Sequence, residues 1–423
     1  MTRISFESRR SAQNSRRLSA NFVLCSIFVS VAQFCGSNFL LLSRPSSSCD
    51  HSDQILVTED SINRNALKKN PMRILVDADS PEPSKNTNYA VDPDAIDCKT
   101  YMQDYRSGKI QEVERSPGFE KSYVTRTTTA KPFYWSTHPP DLDTVRASSF
   151  AKGQYYESKL SARIQEVFDM KHSKDEDSIF LDVGGNIGWF SLLAAAHGAT
   201  KVYTFEPNPA NLVRICESLS LNHWFREDRS KDIVVPVGKG VGDKVATQKL
   251  FRSDDSNPGS FSFSKDRALE QFRRKGEKKL SDEKKLKLMN SNDSVVGTID
   301  LITLDFFAEK HGWFDTRPSI AFFKLDVEGF EAQIIEGAKG LFKSRIVELF
   351  DMEMKKTTTT KDRLAMLEII FNSGYELYMH GRFKGPSNKV EKKYSDYLEL
   401  ASDIAAEKYG ENLLFRRIDN WQQ

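Results

Sequence analysis

The sequence predicts an α/β fold built on an open, doubly wound sheet of mostly parallel strands. Three observations carry this. Ile179-Phe180-Leu181-Asp182-Val183 is a short apolar run that opens into Gly184-Gly185-Asn186-Ile187-Gly188 and then into helical Trp189–Ala196. A second such run, Lys201–Phe205, ends in Glu206, 18 residues past Gly188. Further runs of strand character at 233–237, 320–326, 346–353 and 412–417 alternate with helical patterns. Strand, glycine turn and helix in this order make a pocket at the carboxyl ends of the strands in a Rossmann-like sheet.

The amino end carries no such pattern. Residues 1–17 hold Arg3, Arg9, Arg10, Arg16 and Arg17 against Glu7, and no charge occurs from Leu18 to Ser43. That run is long enough to cross a bilayer as a helix. The arginine excess before it predicts a cytosolic amino end and a translocated remainder, a single-pass type II membrane protein of the ER or Golgi lumen. A cleaved signal peptide, with Ser30-Val31-Ala32 at the cleavage site and a secreted product, is a second reading, and an organelle transit peptide a third. Residues 44–120 are rich in Ser, Asp, Asn and Pro and read as a flexible stem, with a short helix possible over 95–105. The catalytic domain is expected over 121–423.

Within that domain, Tyr123–Thr129 and Phe133–Trp135 read as strands broken by prolines. Tyr155 and Tyr156 precede a helical pattern through Ile164, Val167 and Phe168, either closing the pocket or packing the core. After the third strand, 238–243 reads as a tight loop. Residues 252–293 read as an insertion, with ten Lys and Arg against five Asp and Glu between Lys265 and Lys287. It is either a solvated face or a contact for an acidic acceptor or membrane surface. Asn292-Asp293-Ser294 is a glycosylation sequon.

Composition excludes little. Formal net charge is +2, which gives no global field for nucleic acid. The five cysteines show no Cys-x-x-Cys spacing. Cys49 and Cys98 could pair in an oxidising lumen.

The glycine turn chooses among ligands. A dinucleotide fingerprint needs a glycine where Val183 stands, which disfavours a nicotinamide-dependent oxidoreductase. Asp-x-Gly-x-x-x-Gly fits instead, with Asp182 in the strand. An acid there favours the cationic amino-acid and sulfonium end of S-adenosylmethionine over a pyrophosphate. The cofactor set is therefore Asp182, Gly184, Gly185, Asn186 and Gly188, with Glu206 gripping the ribose hydroxyls and Asp243 at the adenine edge.

Leu181–Gly188, Phe205-Glu206-Pro207-Asn208, Thr303-Leu304-Asp305 and Lys324–Glu331 together resemble the FkbM family of S-adenosylmethionine-dependent methyltransferases. The resemblance covers roughly residues 145–380. It implies a class I methyltransferase sheet and methyl transfer, usually to an oxygen, and names no acceptor.

The catalytic candidates lie where the fourth strand ends. Period-two alternation puts Lys324, Asp326 and Glu328 on one side. Asp326 is the expected base or acceptor-orienting group, with Lys324 setting its ionisation; a purely structural Lys324–Asp326 pair is the competing reading. Glu328 is the second candidate and Glu353 a weaker third. No set of ligands at metal spacing accompanies Asp326, so no metal is expected. The expected acceptor is a glycan, lipid or small-molecule hydroxyl. A binding protein that keeps the fold without activity is the other class left open.

Overall fold

A computed structural model of the chain describes residues 54–57, 94–110, 121–140, 155–225, 228–252, 261–262, 295–327, 329–354, 358–381, 389–394 and 396–420. The expected anchor at 18–43, the basic tail, Glu328, the sequon at Asn292 and the charged segment after 262 lie outside the described residues. No helix among the described residues is long and apolar enough to cross a membrane.

From the amino end come β1 (Gln54–Val57), α1 (Cys98–Arg106), β2 (Ser122–Arg126), β3 (Tyr134–Thr137) and α2 (Ser158–Ser173). The glycine motif is framed by β4 (Ile179–Val183), α3 (Trp189–Ala196), β5 (Lys201–Phe205) and α4 (Pro209–Leu221). Then follow β6 (Val234–Val237), β7 (Gly240–Val241), β8 (Ala246–Arg252), β9 (Phe261–Ser262), β10 (Val295–Ile302), α5 (Leu304–Lys310) and α6 (Trp313–Thr316). The carboxyl half adds β11 (Ile320–Leu325), α7 (Glu331–Glu336), α8 (Lys339–Ser344), β12 (Leu349–Glu353), α9 (Thr360–Asn372), β13 (Tyr375–His380), α10 (Tyr397–Ala405) and β14 (Asn412–Arg417).

The main sheet has seven strands in the order β13-β14-β12-β11-β4-β5-β6. Pairing is parallel from β12 through β6, and β14 runs antiparallel to both its neighbours. The chain starts at β4, winds out to β6, then returns to β11 on the other side. That reversal opens a crevice between the carboxyl ends of β4 and β11.

Both faces of the sheet are covered, which is why the central strands read as unbroken apolar runs. Ile179, Leu181 and Val183 pack with Phe323, Leu325 and the helices α5, α7, α8 and α9. Phe180, Val202 and Phe322 face α2, α3 and α4.

Two segments refine the sequence reading. The short helix expected over 95–105 is α1, but it is packed rather than part of a loose stem: its Cys98, Met102 and Tyr105 are buried. Spaced four and three apart, they form one apolar stripe. Cys98 is bonded to Cys216 of α4, with Cα atoms 5.1 Å apart, and not to Cys49. The tight loop expected over 238–243 is instead interrupted by β7, which pairs parallel with β10. Burial of Val241 and the bond from Gly242 N–H to the Ile302 carbonyl (3.0 Å) draw it into a second, four-stranded sheet.

The β2–β3 hairpin lies on the helical side of the glycine motif. Trp135 donates its indole N–H to the Ile187 carbonyl (2.9 Å) and packs 4.7 Å from Trp189, centroid to centroid. Ser136 binds Ser218 and Glu217 of α4. Tyr155 and Tyr156 take the packing role: Tyr155 lies edge-on to Trp189 and Tyr156 tilts against Phe190.

Candidate active site

The turn after β4 is built by close backbone approach. Gly184 has φ +85°, and a Cβ on it would stand 1.9 Å from the Asp326 carbonyl oxygen. A Cβ on Gly185 would stand 2.0 Å from Thr204 Oγ1. Neither position admits a side chain, so the turn can lie against β5 and the end of β11. Both N–H groups donate to the Phe205 carbonyl at 3.0 Å. Asn186 takes a left-handed backbone, φ 51°, which asparagine tolerates well, and Gly188 caps α3 with φ +84°.

Glu206 closes the pocket at the end of β5. Its Oε2 accepts from the Asn186 N–H (2.7 Å) and its Oε1 from the Asn208 N–H (2.9 Å). Asn208 also caps α4, accepting from the Ala210 N–H, with Pro209 at the first helical position. The motif Glu206-Pro207-Asn208-Pro209 is thus a strand end, a helix cap and a clamp in four residues. Burial pushes the Glu206 carboxyl up to about 7; the two backbone donors and the Asn211 side chain pull it down, and the charge of Asp182 adds to the rise.

One row of polar side chains crosses the sheet just below this rim. The register aligns Thr204 with Asp182, Asp182 with Lys324 and Lys324 with Asp351, so all four project from the face that carries Phe180 and Phe322. All four are buried. Asp182 Oδ2 accepts from Ser191 Oγ (2.7 Å), and its Oδ1 lies 3.7 Å from Lys324 Nζ. Lys324 Nζ also lies 3.5 Å from Asp326 Oδ2 and 5.1 Å from the Phe190 ring centroid.

Burial works against the Lys324 ammonium, but Asp326, Asp182, Glu157 and Asp351 outweigh it and raise its pKa. The Asp182 carboxyl is nevertheless also raised, first by burial, against the pull of Lys324 and Ser191. The two directions are compatible because one cation serves several carboxyl groups. Asp351 carries the deficit: burial drives its carboxyl well above the ordinary range, and its Oδ1 has no hydrogen-bond partner among the described residues. Burial thus favours the neutral form of Asp351, while the carboxyl groups around Lys324 favour its charged form.

Similarity to known proteins was assessed against this geometry. Residues 182–377 match the family model described as Methyltransferase FkbM domain. Residues 182–377 are an FkbM methyltransferase domain. Over 192 residues the chain is 24% identical to a tRNA(Phe) (4-demethylwyosine(37)-C(7)) aminocarboxypropyltransferase of Pyrococcus horikoshii. That match covers 44% of this chain and 63% of the relative. A crystal structure of a methyltransferase FkbM from Methylobacillus flagellatus KT overlaps 57% of this chain and 43% of its own, at 14% identity and a TM-score of 0.30.

In the FkbM domain the structure gathers Asp182, Gly184, Gly185, Asn186, Gly188, Glu206, Lys324 and Asp326 around one crevice. Asp182 sits deeper than expected: fully buried, it faces Ser191 and Lys324. Asp326 is the acid of this row that reaches solvent, its side chain 35% exposed. Asp243 is exposed beyond β7, its backbone against Gly337 at the end of α7, because β7 carries the chain into the small sheet. Asp305, part of the resemblance, is a structural cap: its carboxylate accepts from the N–H groups of Gly340 and Leu341 (2.8 and 2.7 Å) at the start of α8. Among the described residues, no group of three His, Cys, Asp or Glu is arranged to hold a metal ion.

Sequence reasoning missed Asp351, Glu157, Ser191 and Thr204. Asp351 had a signal, since an acid between Phe350 and Met352 in an apolar strand is as anomalous as Lys324 one strand away. Glu157 had none: its proximity to Lys324 and Asp351 follows from where α2 begins.

Two outcomes test these charge states. A carboxyl raised in the fold binds its proton there but loses it in the unfolded chain, so its contribution to stability falls as pH rises above the unfolded value. Asp351→Asn abolishes that term. It should match or exceed the parent unfolding midpoint at pH 8, by a margin that shrinks toward pH 4; a lower midpoint at pH 8 would mean an ionised Asp351. Glu206 must ionise to accept from a diol. Affinity for a ribose-bearing ligand should therefore fall about tenfold per pH unit well below its value near 7, with uptake of buffer-detectable protons on release. Calorimetry in two buffers of different ionisation enthalpy reads this directly, and a pH-independent affinity from 5 to 8 would exclude it.

Proposed function

We propose that this chain is an S-adenosylmethionine-dependent methyltransferase acting on a hydroxyl oxygen of a glycan, lipid or small molecule. The observation that carries it is Glu206, a buried carboxylate at the end of β5 fixed by the Asn186 and Asn208 N–H groups, one turn away from a glycine loop whose Cβ positions are filled by neighbouring atoms. A ribose diol suits this acceptor, and the glycine loop admits the rest of a nucleoside donor. Glu206 would hold the ribose, and Gly184, Gly185 and Asn186 would line the backbone of the pocket. S-adenosylmethionine, when bound there, supplies an electrophilic methyl group.

The chain's own residues account for the rest. Transfer to a hydroxyl needs that hydroxyl aligned and its proton accepted. Asp326 stands at the crevice, with Lys324 3.5 Å behind it fixing the carboxylate's position. Asp182, Phe190 and Asp351 in turn fix Lys324. A second reading follows from the Pyrococcus relative's name: the same pocket could transfer an aminocarboxypropyl group. The mass added to the product separates the two.

The compartment belongs to the same proposal. An uncharged run from Leu18 to Ser43 behind five arginines and the Cys98–Cys216 disulfide both suit a luminal domain behind an amino-terminal membrane anchor. Sealed microsomes should protect the catalytic domain from protease until detergent is added. Digestion without detergent would refute the topology, and extraction by alkali would favour a cleaved signal peptide.

Asp326→Asn keeps the side chain's shape and removes its charge. Turnover should fall by roughly 10²–10⁴ with cofactor affinity within about twofold. If the Lys324–Asp326 pair is purely structural, the variant instead melts earlier and keeps its rate per folded molecule. A chain that binds S-adenosylmethionine without turnover on any hydroxyl, amine or RNA acceptor would point to a silent binding protein.

A further inference from the structure

The amino-terminal segment before α1 covers the far side of the clamp. In the sheet, the glycine loop and Asp326 lie on the β4 and β11 side of Glu206, and only β6 lies on the other. A nucleoside donor whose ribose meets Glu206 and whose reactive end is directed toward Asp326 leaves the β6 side for its base. Glu206 and β6 are joined directly, the Glu206 N–H donating to the Val237 carbonyl (3.1 Å).

That side is walled. The Ile96 N–H donates to the Pro236 carbonyl (2.8 Å), and Ala95 bridges antiparallel to Val237. Arg229 donates to the Ile96 carbonyl (2.9 Å). Asp94 binds Lys239 at 2.8 Å and Lys310 at 2.6 Å, and these two cations hold its carboxyl below the ordinary range in spite of burial. A Cβ on Gly238 would stand 2.7 Å from Ile96 Cδ1, so the Ile96 side chain lies across the first residue after β6. Two residues on, Cys98 is bonded to Cys216 of α4, the helix that begins at the cap just after Glu206.

We propose that residues 94–98 form the wall of the base subsite, with Ile96 as the side chain that meets the base and the Cys98–Cys216 disulfide as the staple that keeps it there. This rests on the nucleoside-donor reading above. It adds a binding residue, Ile96, from a segment that lies outside 182–377 and 88 residues before the glycine turn begins at Gly184. The staple has a physical reason: the segment 111–120 and the strands beyond separate Ile96 from the rest of the pocket in sequence, so only a cross-link or packing fixes its register.

The test uses the full chain, with adenosine and S-adenosylhomocysteine as probes in calorimetric titrations. Ile96→Ala leaves the disulfide and the backbone bonds intact. It should raise the dissociation constants of both probes by the same factor, about fivefold, as for loss of one well-packed side chain at a binding surface, in a variant that is still folded at the temperature of the titration. The Cys98→Ser/Cys216→Ser double variant should raise both by about tenfold or more if the wall loses its place. Unchanged affinity in Ile96→Ala overturns the inference whatever the double variant does. A parent chain that binds neither probe instead refutes the nucleoside-donor reading itself, and this inference with it.

Discussion

A buried ammonium holds the crevice together. Lys324 sits in the middle of an apolar strand, 3% exposed at its side chain, where an isolated charge would be driven to neutrality. It stays charged because Asp182, Asp326, Asp351 and Glu157 surround it and the face of Phe190 lies beneath. Lys324 and Asp182 act on each other's ionisation, as do Lys324 and Asp351, so the row behaves as one unit. Its members come from β4, β11, β12 and the start of α2. Correct winding of the sheet is therefore a condition for the charge row, and the row in turn rewards that winding.

The same interdependence governs the glycine turn. Its glycines let the backbone reach Thr204 and the Asp326 carbonyl, and the N–H of Asn186 then falls on Glu206. The turn is held from outside as well: Trp135 binds the Ile187 carbonyl, and Trp189, first residue of the following helix, donates to Ser161. The hairpin and α2, which carry no motif, thus set the position of residues that do. Asp326 is fixed by its own backbone bond to the Val183 carbonyl (3.1 Å), which ties it to the strand bearing Asp182.

This arrangement separates two tasks. On the proposed reading, Glu206 and the turn would hold the cofactor's hydroxyls, while Asp326, 35% exposed and tethered to Lys324, would meet the acceptor. Positioning of this kind is the main contribution a protein makes to a displacement reaction, since the reacting groups must be aligned before either bond changes. Buried charges that stabilise nothing by themselves become useful when they hold such a group still.

Much of this was legible in the chain. The strand runs, the acid at the end of β5, the cap sequence Asn208-Pro209 and the anomalous Lys324 are local facts, because apolar periodicity, capping and glycine turns are set by near neighbours. What the sequence could not give were relations between strands. Asp351 joins Lys324 only through the register of β11 against β12, and Glu157 only through the docking of α2. Cys98 meets Cys216 rather than Cys49 because a three-residue apolar stripe lays α1 on α4, 118 residues away in sequence. The loop before Asp243 joins the small sheet because two residues of β7 pair with β10. Local chemistry is written into adjacent residues, whereas register and docking are settled by long-range burial, and a single strand's pattern does not say which partner it will have.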